Sequence, residues 1–89
     1  MYHTTLCIPK VHCSITHKDI EQVITPLGLG SISKITFQNV TYHKTNCNKV
    51  YIHFGNWYNT TLMEHLKKGN SFKIIYNKPR FWICSLAGY

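Results

Sequence analysis

The chain has 89 residues, of which 44% are hydrophobic and 13% are aromatic. A chain this short holds one hydrophobic core, so we expect a single domain over residues 1–89, and its apolar content excludes a disordered chain. Ten Lys and Arg residues against three Asp and Glu residues give a formal net charge of +7, which favours an anionic partner over a charge that serves only solubility.

The chain also lacks the sequence features of a membrane or secreted protein. No apolar run approaches the roughly 20 residues of a membrane span, and Met1 to Lys10 does not have the layout of a signal peptide. We therefore expect an intracellular protein of the cytoplasm or nucleus, with no membrane partner. The four cysteines are predicted to be free thiols, because a chain this rich in apolar residues does not need a disulfide framework.

The first half of the chain predicts a strand, a helix and a second strand. Leu6 and Ile8 alternate within Leu6–Val11, which favours a strand with one buried face. Thr16 can cap a helix that begins at about His17 and ends at Pro26 and Gly28. The apolar stripe of this helix consists of Ile20, Val23, Ile24 and Leu27. A second half-buried strand follows, in which Ile35 and Phe37 alternate with Lys34 and Thr36.

A polar loop is predicted next, from Gln38 to Asn48 with Lys44 in it, and then the clearest strand of the chain. In this third strand the apolar residues Val50, Ile52 and Phe54 alternate with Lys49, Tyr51 and His53.

The last third of the chain predicts a helix and two strands. Asn59 or Thr60 can cap the helix, which runs to Lys67 or Lys68, faces inward through Leu62, Met63 and Leu66, and is closed by Gly69. Phe72–Tyr76 is predicted as a short strand, 77–79 as a turn, and Phe81–Leu86 as the final strand.

This order predicts an α+β fold, a ferredoxin-like βαββαβ sandwich with a four-stranded antiparallel sheet and two helices on one face. Several segments match one family in register: Leu6–Val11 at its strand-one motif, Thr16–Ile20 at the start of its first helix, Leu29–Ile32 before its second strand, and Cys47–Phe54 at its strand-three octapeptide. The chain thus resembles the RNA recognition motif (RRM) family. Its small size and its Lys-Pro-Arg-Phe-Trp segment near the end also resemble small RRM-like proteins of large DNA viruses.

The resemblance implies a function and a site. In this family, the outer face of the sheet stacks unpaired bases on aromatic rings. Of the three usual ring positions, Cys7 and Lys49 occupy two here, and only Tyr51 is aromatic. Because each stacked base contributes ~1–3 kcal/mol, we expect weak binding of single-stranded RNA dominated by phosphate contacts, with single-stranded DNA as the alternative ligand.

Other candidate residues lie beside Tyr51. His53 can stack a base as an imidazole, whereas Lys49 and Lys34 can contact phosphates, which positions a strand without reading its sequence. All three acidic residues fall in the predicted helices, so the strands and loops should carry a positive field. The complete set of predicted nucleic-acid-binding residues is Cys7, Lys10, Lys34, Thr36, Lys49, Tyr51, His53, Arg80 and Phe81.

Protein binding, catalysis and metal binding are the alternatives to RNA binding. The missing rings at Cys7 and Lys49 also suit a degenerate RRM that binds a protein. Catalysis is not expected, because the acids are all helical and no Ser/His/Asp or phosphate-loop pattern is present. No metal or cofactor is predicted: two loops carry His12, Cys13, His17, His43 and Cys47, but neither has Cys-x-x-Cys spacing. Tyr51 also has a plain interpretation as an exposed strand residue, and Trp82 one as a core residue.

Overall fold

The computed structural model describes residues 4–77 and 80–87. The elements are β1 (Thr4–His12), α1 (His17–Ile24), a short 3₁₀ helix (Thr25–Leu27), β2 (Gly30–Tyr42), β3 (Thr45–Trp57), α2 (Thr60–Lys67), β4 (Phe72–Asn77) and β5 (Arg80–Leu86). The strands form one antiparallel sheet in the order β2-β3-β1-β5-β4.

The ferredoxin-like, four-stranded fold predicted from the sequence is wrong in both strand count and strand order. The segment after α2 forms a hairpin of two full strands, in which Ile74 pairs with Trp82 and Ile75 with Phe81. Only β5 reaches β1, so β4 adds a fifth strand at the edge of the sheet. The sequence did indicate a strand, a turn and a strand here, but a four-stranded sheet leaves no place for the first of them.

The prediction of a polar loop from Gln38 to Asn48 is also wrong, because β2 and β3 continue through this segment and form a hairpin. Its turn has only two residues, His43 and Lys44, with φ of 47° and 66°. Positive φ at both turn positions is the geometry that suits the right-handed twist of a two-residue hairpin. Thr41 Oγ1 donates a hydrogen bond to Asn46 Oδ1 across the strands. Both side chains are exposed, so no apolar alternation marked this part as a strand.

The core lies between one face of the sheet and the two helices. On β3, Val50, Ile52 and Phe54 are at most 1% exposed. They belong to one apolar cluster with Leu6, Ile8 and Val11 of β1, Ile20 and Ile24 of α1, Leu66 of α2, and Ile74, Trp82 and Cys84 of the β4–β5 hairpin. Both helices therefore cover the same face of the sheet, and the opposite side, here called the outer face, has no helix over it.

The predicted starts of both helices and the predicted end of α2 are confirmed, whereas α1 ends at Ile24 and a 3₁₀ helix follows it to Leu27. Thr16 and Asp19 form a capping box at the start of α1, in which the Asp19 Oδ2 accepts from the Thr16 backbone N–H at 2.9 Å. Such a cap stabilises a helix by about 1 kcal/mol. Asn59 Oδ1 accepts from the Leu62 backbone N–H at 2.9 Å at the start of α2. Gly69 follows α2 with φ of 85°, a left-handed conformation that favours glycine.

A β-bulge interrupts β1 between two core residues. Ile8 and Val11 are both buried although three positions separate them, and the pairing with β3 shifts between them. The extra residue leaves Pro9 and Lys10 exposed. A bulge tolerates proline, because the missing N–H falls where the ladder of hydrogen bonds is already interrupted.

The β4–β5 hairpin joins the rest of the sheet along a short seam. Only the end of β5 pairs with β1, through Leu6 with Leu86 and Cys7 with Ser85. The Ala87 backbone N–H extends this seam by donating to the Thr5 carbonyl oxygen at 2.9 Å. No helix in the described part of the chain is long and apolar enough to cross a membrane.

Gly30, at the start of β2, is the position where we expect a single methyl group to destabilise the fold. A Cβ built on Gly30 would overlap the carbonyl oxygen of Asn56, which belongs to the backbone of β3 and cannot rotate away. Gly30→Ala should lower the free energy of unfolding by about 1–3 kcal/mol, as overpacking does. Denaturant unfolding followed by circular dichroism measures the change.

Gly55→Ala is the matched control in β3, because the atom nearest to its added Cβ is the Ser33 Cβ at 4.0 Å. It should leave the unfolding midpoint close to that of the unmodified protein. Equal midpoints for the two variants would show that β2 and β3 do not approach as closely as the structure has them.

Candidate nucleic-acid interface

The outer face is the side of the sheet opposite the helices, and strand alternation decides which residues reach it. Residues that alternate with core positions on each strand lie there. They include Thr5, Cys7 and Ser85 at the centre, Lys34, Thr36, Gln38, Lys49, Tyr51 and His53 on β2 and β3, and Lys73, Ile75, Phe81 and Ile83 on the β4–β5 hairpin.

Tyr51 lies near the middle of the outer face, on the central strand pair. Its backbone neighbours are Cys7 on β1 and Thr36 on β2. The ammonium nitrogen of Lys49 lies 5.7 Å from the centre of the Tyr51 ring, within the range of a cation–π contact. The half-buried ring is therefore held between two strands and has a cation beside it.

His53 is fixed on the same face by hydroxyl groups from both neighbouring strands. Its Nδ1 is 3.1 Å from Thr5 Oγ1, and its Nε2 is 3.1 Å from Thr36 Oγ1. Both ring nitrogens are thus engaged within the protein, and what remains for a ligand is the face of the imidazole. The predicted role of His53 as a stacking ring fits this arrangement better than a role as a hydrogen-bond donor to a base.

Cys7 is a small, buried residue that lies between Tyr51 and β5. It is only 8% exposed although no helix covers it. Burial raises the pKa of the Cys7 thiol, and the nearby positive charge of Lys49 partly opposes that effect. The thiol is therefore protonated at neutral pH and offers neither a charge nor a nucleophile to this face.

The β4–β5 hairpin brings a second aromatic ring to the outer face. Phe81 is 45% exposed, and the Lys73 ammonium nitrogen lies 4.6 Å from the centre of its ring. Ile75 and Ile83 next to them are 60% and 39% exposed. This part of the face therefore combines an open ring, a cation and two exposed aliphatic side chains.

The charges of the molecule are divided between its two sides. Asp19 and Glu21 lie in α1 and Glu64 lies in α2, as the sequence predicted, so every acidic residue is on the helix side of the sheet. Lys34, Lys49 and Lys73 lie on the outer face. An anion that approaches this face therefore meets cations and no carboxylate, which is the electrostatic footprint of a phosphate-binding surface.

The structure brings together most of the residues predicted from the sequence. Those on the outer face are Cys7, Lys34, Thr36, Lys49, Tyr51, His53 and Phe81. Arg80 alternates with Phe81 and shares the register of Trp82, so it falls on the opposite side of β5. Lys10 is exposed at the bulge of β1, outside the regular alternation.

Lys73, Ile75 and Ile83 are the residues that the sequence did not single out as part of the site. In β5 both alternating sets are apolar, Phe81 and Ile83 on one side and Trp82 and Cys84 on the other, so periodicity could not tell which set is buried. The signal lay in β4, where Lys73 separates Phe72 from Ile74 and marks the solvated side.

Trp82 is a packing residue, as expected, because it is 3% exposed and stacks on Tyr76 with ring centres 4.2 Å apart. Two of the histidines considered as metal ligands, His12 and His17, have other partners. His12 Nδ1 accepts from the Ser14 backbone N–H, and His17 stacks on Phe37. Among the described residues, no group of three or more His, Cys, Asp or Glu side chains is arranged to hold a metal ion.

Comparisons with protein-family models, with curated proteins and with solved structures found no match to this chain. The resemblance to the RRM family therefore stays a prediction from the residues quoted above. The residues and charges of the outer face are the observations that bear on function.

The four thiols should differ widely in reactivity. All four cysteines are free, and Cys13 is the exposed one. Burial, together with the neighbouring Cys7, raises the pKa of Cys84 from 9.0 to about 12, which lowers its thiolate population about a thousandfold. Because the thiolate is the nucleophile, alkylation of the folded protein near neutral pH should modify Cys13 first, Cys7 more slowly and Cys84 last.

Mass spectrometry of peptides after timed alkylation gives the order of modification. In denaturant the differences should disappear, which is the internal control. If Cys84 were modified as fast as Cys13 in the folded protein, the result would contradict the burial of the Cys84 side chain in the core.

Proposed function

We propose that this protein binds single-stranded RNA on its outer face, by stacking a base on Tyr51 and by contacts between lysine side chains and phosphates. The observation that carries the proposal is the Lys49–Tyr51 pair on a helix-free face that has cations and no acidic residue. A base stacked on an aromatic ring contributes ~1–3 kcal/mol, and a neighbouring ammonium can contact the phosphate of the same nucleotide.

The proposed ligand is single-stranded because stacking requires an unpaired base. The bases of a duplex are already stacked on each other and expose only their edges, whereas a flat sheet face contacts the plane of a splayed base. RNA is proposed over DNA because polar side chains border the ring on β2. Thr36 pairs across from Tyr51, and Gln38 pairs across from Lys49, so hydroxyl and amide groups are near the sugar of a stacked nucleotide, where RNA has its 2′-hydroxyl.

The affinity is expected to be modest and sensitive to salt. One ring at the centre of the face supplies one stacking contact, and the remaining attraction comes from exposed lysines, which bind phosphates by releasing counterions. Such binding weakens as salt rises, with a slope in log–log form of about −0.7 for each phosphate contact on a single strand.

Fluorescence anisotropy with labelled random-sequence RNA of about ten nucleotides, a length within the range of single-stranded sites, tests this function. At low salt the protein should bind, and Tyr51→Ala should weaken binding by ~1–3 kcal/mol. Tyr51→Phe keeps the ring and should bind as the unmodified protein does. DNA of the same sequences should bind less tightly.

Absence of binding at low salt, or equal affinity of Tyr51→Ala and Tyr51→Phe, would remove RNA stacking as the function of this face. Thermal unfolding of both variants serves as the folding control, since Tyr51 is only half-buried and its ring is not part of the core cluster.

A second candidate function is the docking of a protein, and the exposed aliphatic side chains on the β4–β5 hairpin favour it. Ile75 and Ile83 lie side by side with Phe81 and have no helix over them. Apolar side chains with the cation of Lys73 beside them suit a protein partner with an apolar centre and an acidic group at its edge.

Purification of the tagged protein from cells, with and without ribonuclease, separates the two functions. We expect associated proteins to be released by the nuclease, because they are bridged by RNA. Proteins that remain after nuclease treatment, and that are lost with Ile75→Asp, would favour the docking function instead.

A further inference from the structure

We infer that the outer face has a second stacking position for the same RNA strand, formed by Phe81 and Lys73 on the β4–β5 hairpin. This inference rests on the proposed RNA binding and extends it from one base to two. It names Phe81 as a residue that touches a base and Lys73 as one that contacts a phosphate.

The same arrangement of a lysine over an aromatic ring occurs twice on the outer face. Lys49 lies 5.7 Å from the centre of the Tyr51 ring, and Lys73 lies 4.6 Å from the centre of the Phe81 ring. In each pair an ammonium group lies over an aromatic ring, and the ring is half-buried at Tyr51 and 45% exposed at Phe81. Each pair therefore offers a nucleotide what it needs, a flat π surface for the base and a cation for the phosphate.

The ring of Phe81 is held out toward solvent by the packing of its neighbour. Trp82 is 3% exposed and stacks on Tyr76, and the two rings are inclined by 17°. Because successive residues of a strand point to opposite faces, this anchored tryptophan fixes Phe81 on the outer face. Exposure of a phenylalanine costs hydrophobic free energy, and the residue recovers it when a base covers the ring.

The surface between the two rings is low where the path crosses β1, and Ile83 is the large side chain between Ser85 and Phe81 on β5. Tyr51 pairs with Cys7, and Cys7 pairs with Ser85, so only a thiol and a hydroxyl lie on the line from β3 to β5. Neither side chain is large enough to stand in the way of a nucleic-acid strand. The strand would cross the sheet at this point, over β1, and then follow β5 back from Ser85 to Phe81.

The distance between the rings follows from sheet geometry. Two interstrand steps of ~4.8 Å and four residues of ~3.4 Å along β5 separate Tyr51 from Phe81 by roughly 16 Å. This is several times the ~3.4 Å rise between stacked bases. The two rings would therefore hold bases that are not neighbours, and at least one nucleotide would bridge them over Cys7 and Ser85.

RNA length distinguishes one stacking position from two. A dinucleotide cannot reach both rings, whereas an oligomer of about ten nucleotides can. We expect Phe81→Ala to weaken binding of the longer RNA about tenfold and to weaken binding of the dinucleotide less, because the dinucleotide can still stack on Tyr51. Tyr51→Ala should likewise weaken the longer RNA more than the dinucleotide, which can still stack on Phe81.

Three further variants show whether the ring of Phe81 acts by stacking. Phe81→Tyr keeps the ring and should retain the affinity for the longer RNA, and Phe81→Leu keeps the apolar volume and should behave like Phe81→Ala. Tyr58→Ala is the control for loss of an exposed ring elsewhere, because Tyr58 is 62% exposed beyond the end of β3 and should have no effect. The unfolding midpoints of all variants are compared to show that each variant is folded. Phe81→Tyr changes the native residue least and is the reference for this comparison.

Full affinity of Phe81→Ala for the longer RNA, alongside a loss for Tyr51→Ala, would overturn the second position and leave the proposed function standing. Full affinity of Phe81→Leu for the longer RNA would also overturn the second stacking position. The contact at residue 81 would then need only apolar volume and not an aromatic ring. Absence of RNA binding by the unmodified protein would remove both proposals together.

Discussion

The pairing register of β3 is the constraint on which the rest of the structure depends. This strand pairs with β1 on one side and β2 on the other, and its residues Val50, Ile52 and Phe54 are almost completely buried. Since side chains alternate between faces, a slip of one residue would move Tyr51 into the core and Ile52 to the surface. Burial of three large apolar side chains, at about 1.5–3 kcal/mol each, therefore also positions the ring of the proposed site.

The core and the site are thus two consequences of the same alternation. Lys49, Tyr51 and His53 reach the outer face because the residues between them pack under α1 and α2. His53 then links three strands through Thr5 and Thr36, so part of the outer face is organised by its own hydrogen bonds. A surface that is already ordered loses little side-chain entropy when it binds a ligand, which favours binding by a small protein.

The β4–β5 hairpin brings a second pairing of a lysine with an aromatic ring to the sheet. It meets β1 only at the seam of Leu6 with Leu86 and Cys7 with Ser85, and its own core contact is the packing of Trp82 and Ile74. The hairpin widens the outer face, and it brings Phe81 and Lys73 to the same side as Tyr51. A four-stranded sheet without the edge strand β4 would lack Lys73 and with it the second pairing of a lysine with an aromatic ring.

The uneven distribution of charge determines which side of the molecule attracts an anion. The three acids lie in the helices, and lysines from β2, β3 and β4 lie on the outer face. A polyanion is therefore attracted to one side of the molecule. Attraction of this kind acts over about a Debye length, ~8–10 Å at moderate salt, so in the proposed binding it orients an RNA strand before the strand contacts either ring.

The sequence by itself determined the elements with strong periodicity or a specific end signal. The alternation in β3 predicted its buried and exposed sets, and Thr16, Asn59 and Gly69 marked helix ends, because these signals depend on residues close together in the chain. Tertiary structure decided the rest. Sequence pattern did not predict the β2–β3 hairpin, because its polar residues are solvated on both faces. The positions of Phe81 and Lys73 depend on which side of β5 is buried. That choice is made by Trp82 packing on Tyr76 and by the pairing of β5 with both β4 and β1, contacts that local pattern does not encode.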